Sequence, residues 1–163
     1  MIVLAYFGVV VVIDLEYRLI MHPVSVVGAI LGLVVGILRE GWVQAVLGGI
    51  AGFGIMWILY LLGVVLIKLI ARTRGRPVND VALGFGDVNL SGVLGLMLGW
   101  PLILFSLVVA VLVGGAVSLV YIVIQLITRR YQAFMALPYG PFLVIGAIIF
   151  IYFSDQILVL IGG

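Results

Sequence analysis

Apolar residues run on along this chain, broken only by charged residues or by proline and glycine. The runs cover Met1 to about Ile20, Val24 to Leu38, Val43 to Ile70, about Val81 to Trp100, Leu102 to Ile127, and Tyr139 to about Leu160. At roughly 20 residues per span plus short connections, that pattern predicts about six transmembrane helices. The expected fold is all-α, a polytopic bundle in a lipid bilayer. No repeat, low-complexity stretch or long linker divides the chain, so residues 1–163 are expected to form a single transmembrane domain. A signal peptide over Met1 to Ile13 is rejected, because a basic start and a small-residue cleavage site are both missing and Asp14 follows directly.

Composition sharpens this picture. Hydrophobic residues make up 66% of the chain and charged residues 9%, against about 25% charged in an ordinary soluble domain. Mean hydropathy is +1.49, and no soluble fold hides that much apolar surface. With no cysteine there is no disulfide, thiolate metal site or cysteine nucleophile. The single histidine, His22, rules out paired-histidine metal motifs and leaves carboxylates as the obvious acid and base groups. No cofactor is implied.

Charge placement gives an orientation. The basic residues are Arg18, Arg39, Lys68, Arg72, Arg74, Arg76, Arg129 and Arg130, and alternating spans put all but Arg39 on one side, which the positive-inside rule makes the cytosol. Trp42 and Trp100 then fall at the opposite, outer interface, where amphipathic rings are enriched. The run Arg72-Thr73-Arg74-Gly75-Arg76 reads as a topology signal near anionic headgroups. It lacks the aromatic interleaving of a nucleic-acid site.

Among six acidic residues, Glu40, Asp80 and Asp155 lie in turns, loops or helix ends, and Glu16 lies near the inner boundary. Asp14 and Asp87 differ. Asp14 lies thirteen helical steps from Met1, and Asp87 lies thirteen residues before Trp100, so both sit about 20 Å below the outer end. In a hydrocarbon layer about 30 Å thick that is the cytosolic third, on helices able to be neighbours. Each acid has an ordinary reading: Asp14 pairs with Arg18 one turn later, and Asp87 caps the fourth helix by accepting a backbone N–H. Acids inside a membrane are otherwise functional by default, and the shared depth favours a pair acting together. Gly84-Phe85-Gly86-Asp87 adds two glycines before the second acid, which let the backbone turn and another chain come close.

Three stretches, Ile13 to Ile20 (IDLEYRLI), Leu83 to Trp100 (LGFGDVNLSGVLGLMLGW) and Leu137 to Val144 (LPYGPFLV), resemble those of the type IV prepilin peptidases. These are G-x-G-D membrane aspartyl proteases that process pilins, secretion pseudopilins and archaeal flagellins. The resemblance covers nearly the whole chain. It implies that Asp14 and Asp87 are the catalytic pair, with Gly84 and Gly86 supporting the turn, and that the substrate is a prepilin or pseudopilin precursor. It also implies a multi-pass protein of the cell (inner) membrane whose active site faces the cytosol. Met21 stands where a proline often follows the first motif, with Pro23 two residues on, and Asn89 stands where a lysine often follows the second aspartate. Nothing here corresponds to the cysteine-rich methyltransferase portion of many bacterial members, so proteolysis without N-methylation is expected.

Two carboxyls sharing one proton suffice to hydrolyse a peptide, one taking a proton from water and the other giving one to the departing amine. A precursor with a basic leader, a glycine and a hydrophobic helix presents its scissile bond at the depth of the two acids. Glu16 or Asp80 is a minor candidate for attracting the leader, and His22 reads as an interfacial residue before Pro23, which starts the second helix. Tyr139-Gly140-Pro141-Phe142 is expected to shape the start of the sixth helix, and the resemblance places it beside the active site. The chief alternative is a small ion- or proton-coupled transporter that uses the same acids; it would carry cation-dependent flux in liposomes. A protease of the presenilin or signal-peptide-peptidase kind is disfavoured by the short chain and the missing Pro-Ala-Leu segment. The sequence leaves the oligomeric state open.

Overall fold

A computed structural model describes residues 1–17, 22–74, 84–128 and 139–162. Its elements are α1 (Ile2–Tyr17), α2 (His22–Glu40), α3 (Trp42–Arg74), α4 (Phe85–Leu98), α5 (Leu102–Ile127) and α6 (Gly140–Gly162). The described residues form helices and connections with no strand, matching the all-α expectation and its six segments. Three helices carry apolar stretches long enough to cross a bilayer, over Pro23–Glu40, Trp42–Leu69 and Leu102–Ile127.

Helix bounds differ from the apolar runs most at two places, both for physical reasons. The third helix continues past Ile70 to Arg74, because hydropathy marks where the lipid ends while the helix continues until something breaks it. The fourth begins at Phe85, later than the run suggests, since Gly84 is extended (φ −72°, ψ 142°) and serves as its N-cap. Arg76, Asp80, Arg129 and Arg130 lie outside the described residues, as does Arg18, the suggested partner of Asp14.

The short α4 is the centre of the bundle, and ten of its fourteen residues are buried. It meets α2, α3, α5 and α6. Its buried Val88, Leu90, Leu94 and Met97 pack with Phe7 and Val10 of α1, Met56 of α3, Ile103 of α5 and Leu143 of α6. Small residues bring α3 alongside: Gly48 packs on Gly95, and Gly52 on Ser91. The Ser91 hydroxyl donates across this seam to the Gly52 carbonyl at 3.0 Å and within its own helix to Val88 at 2.8 Å. In lipid, where tails are as apolar as leucine, such close packing and interhelical hydrogen bonds hold helices together.

Outward faces are apolar. Leu62, Val65 and Leu66 of α3 and Val108, Leu112 and Leu119 of α5 are all exposed, a surface suited to acyl chains and untenable in water. Gly41 (φ +87°) and Gly99 (φ +72°) make the tight turns after α2 and α4 in the left-handed region that glycine tolerates. The Trp100 N–H donates to the Gln44 carbonyl at 3.0 Å, which gathers the starts of α3 and α5 at one end of the bundle. Trp42 and Trp100 therefore share an end, as the sequence predicts, and both are exposed.

Candidate active site

Asp14 lies in the last turn of α1 and Asp87 in the first turn of α4. Both are buried, at 4% and 7% exposure, and their carboxyls are within electrostatic range of one another. Two acids far apart in the chain are thus brought to one region of the bundle, although α1 and α4 make no close backbone approach to each other among the described residues. Tyr60 of α3 meets Phe85 edge-on, with ring centroids 5.8 Å apart at 77°, so Tyr60 marks that region on the third helix. Lys68, two helical turns further along α3, stands about 12 Å beyond it. The acids therefore lie inside the apolar zone, on the side of the bundle where α3 becomes basic.

Each acid accepts a backbone N–H from a glycine at a helix start. Gly140, the first residue of α6, donates to Asp14 Oδ2 at 2.9 Å across 126 residues of sequence. Gly84, the N-cap of α4, donates to Asp87, three residues on in the chain. The second contact is half of a capping box, in which the acid at the third helical position reaches back to the N-cap amide. The capping role considered for Asp87 is thus present in the fold. Two helix N-termini, with their partial positive charge, converge on the two acids.

Neither glycine of the G-x-G-D string has a left-handed backbone requirement in evidence. Gly84 has an ordinary extended conformation and is exposed, and Gly86 is the second residue of α4. Among the described residues, a Cβ built on Gly84 meets Asp87 Oδ2 at 3.5 Å and the Gly86 amide at 4.0 Å. Gly84 therefore presents an exposed backbone position just before the acid.

The other candidate residues fall around this pair. Pro141 is the second residue of α6, as expected for a helix start, and Tyr139 just before it lies within electrostatic range of Asp87. Tyr139 and Phe142 meet edge-on, 6.0 Å apart at 68°, and both pack against Gly114 of α5. His22 begins α2, and Glu16 is exposed at the end of α1. A groove of about 710 Å³ between α2, α3 and α4 is lined by Ser25, Phe53, Trp57, Phe85, Asn89 and Gly92. Phe85 and Asn89 stand two residues either side of Asp87, so the groove lies on the face of α4 turned away from the acids. The contact that sequence reasoning missed is the Gly140 amide. A glycine before proline signals a turn or a helix start, and only the resemblance pointed to its neighbourhood with the site.

Residues 1–119 match the type IV leader peptidase family. Curated relatives bear the name prepilin leader peptidase/N-methyltransferase. That of Burkholderia pseudomallei is 32% identical over 119 residues, 73% of this chain and 34% of the relative. That of Pseudomonas putida is 30% identical over 148 residues, 89% of this chain and 46% of the relative. That of Aeromonas hydrophila is 29% identical over 130 residues, 80% of this chain and 39% of the relative. The chain thus spans between a third and a half of the length of these relatives. No solved structure matches.

Proposed function

Because the chain belongs to the type IV leader peptidase family, we propose that it is a membrane aspartyl endopeptidase that removes the leader of prepilin-like precursors at the cytosolic face of the cell membrane. The observation that carries this reading is the meeting of two buried aspartates, Asp14 and Asp87, from separate helices within electrostatic range of each other. Hydrolysis needs a water held between one carboxylate and one carboxylic acid. The carboxylate takes a proton as the water oxygen bonds to the scissile carbonyl carbon, and the acid protonates the nitrogen as the C–N bond breaks. Two coupled carboxyls hold one proton between them and supply both roles.

The substrate reading draws on the relatives' names and on placement. A precursor whose hydrophobic helix stays in the membrane offers its cleavage point where apolar chain gives way to basic leader. In support, the acids lie in the apolar zone towards the end of the bundle where Lys68 and Arg72 stand further along α3. Gly84, exposed and uncrowded before Asp87, gives an extended peptide a surface to lie on.

The test is cleavage in detergent of a purified prepilin-type precursor by the purified chain, followed by mass spectrometry of the released leader. Asp14→Asn and Asp87→Asn are each expected to lower turnover by roughly 10³-fold or more, with folded protein still recovered. Turnover retained in either variant removes that residue from catalysis. Cation-dependent flux in liposomes without peptide release would favour the transporter reading instead.

A further inference from the structure

The first residue of α6 is held against Asp14 in a way that packing alone does not explain. Gly140 is buried, and its N–H donates to Asp14 Oδ2 at 2.9 Å. A Cβ built on Gly140 would stand 2.5 Å from Asp14 Oδ2, 2.9 Å from Cγ and 3.3 Å from Cβ. All three nearest atoms belong to one side chain, so the space that glycine leaves empty is the space the carboxylate fills. Asp14 is itself buried, at 4% exposure.

The amide is also fixed in direction. The Tyr139 carbonyl accepts from the Phe142 N–H at 3.1 Å and from the Leu143 N–H at 3.3 Å, which closes the first turn of α6. Pro141 follows immediately, with its backbone angle set for a helix start. Leu143, buried at 1% exposure, anchors that turn in the core. The Gly140 N–H therefore points where the helix aims it. We propose that Gly140 is a positioning residue: its amide and its missing side chain together fix one oxygen of Asp14, leaving the other for the water or the shared proton.

This inference rests on the peptidase reading and extends it to a third helix, so that α1, α4 and α6 each contribute to the reacting geometry. A misplacement of about 1 Å at a catalytic group can lower a rate about 100-fold. The experiment compares Gly140→Ala with the parent chain in detergent, using a synthetic precursor of basic leader, glycine and hydrophobic helix. The expected result is a fall in kcat of about 100-fold with KM unchanged, since the contact Gly140 makes is to the acid. A kcat within about threefold of the parent overturns the proposal, as does a rise in KM at constant kcat.

A second measurement does not depend on that variant folding. Tyr139-Gly140 is the only Tyr-Gly pair in the sequence, so carbonyl-13C tyrosine with 15N glycine isolates one amide signal. The Gly140 proton is expected well downfield in the parent and to move upfield in Asp14→Ala. An unmoved signal overturns the hydrogen bond and with it the proposal. If Asp14→Asn and Asp87→Asn both keep turnover, the peptidase reading itself has failed. If they abolish it while Gly140→Ala is fully active, only the present inference has.

Discussion

Glycine brings helices close at several places in this molecule, and at two of them the atoms it meets differ in kind. Along the α3–α4 seam, a Cβ on Gly95 would run into the Gly48 carbonyl and stand 3.0 Å from the Gly49 Cα, all of it backbone. At the head of α6, a Cβ on Gly140 would run into the Asp14 carboxyl and nothing nearer. Backbone cannot yield, so the seam glycines fix how near two helices lie. A side chain can yield, so at Gly140 the same residue type fixes where one functional group sits. In the first case glycine serves stability, and in the second it serves geometry at the proposed reacting atoms.

Substitutions in the two places should therefore separate stability from turnover. The largest stability effect is expected from Gly95→Leu, which forces the seam apart; overpacking of this kind destabilises by roughly 1–3 kcal/mol or more. Denaturant titration in detergent, read by tryptophan fluorescence, measures it, and Gly140→Ala should show a clearly smaller loss. Equal losses at the two positions would erase the distinction. Ser91→Ala is expected to come next, at about 1 kcal/mol, because it removes the hydroxyl bonded across the seam to Gly52. Its kcat should stay at the parent value, and a large fall would mean that the seam reaches the acids. Smallest is Gly115→Ala on the exposed face of α5, where a Cβ meets nothing within 4 Å among the described residues; a change within about 1 kcal/mol is expected.

The helices were legible because lipid demands long apolar runs, and Leu102–Ile127 matches its run end for end. Helix ends were less so. Polar Arg72 and Arg74 are helical although the hydropathy run stops at Ile70, because backbone hydrogen bonding continues beyond the lipid. Asp14 and Asp87 stood out as acids in apolar surroundings, and their equal depth followed from counting helical rise. Gly84 and Gly86 signal in sequence a pliable approach to Asp87, and Gly84 is the extended, exposed N-cap of α4. The Gly140 amide was invisible for a plain reason. It depends on a pairing between residues 14 and 140, and no local pattern encodes a contact over that separation.

The shortness of α4 carries a last implication. Fourteen helical residues reach about 21 Å, less than the roughly 30 Å of a bilayer's hydrocarbon. Its first turn begins at the N-cap Gly84, which is exposed and non-helical, and the Gly84 carbonyl accepts the Asp87 N–H at 3.1 Å, so this backbone is satisfied by the helix it caps. A peptidase site at the head of so short a helix would have less hydrocarbon between its two acids and the aqueous face than a full-length span imposes.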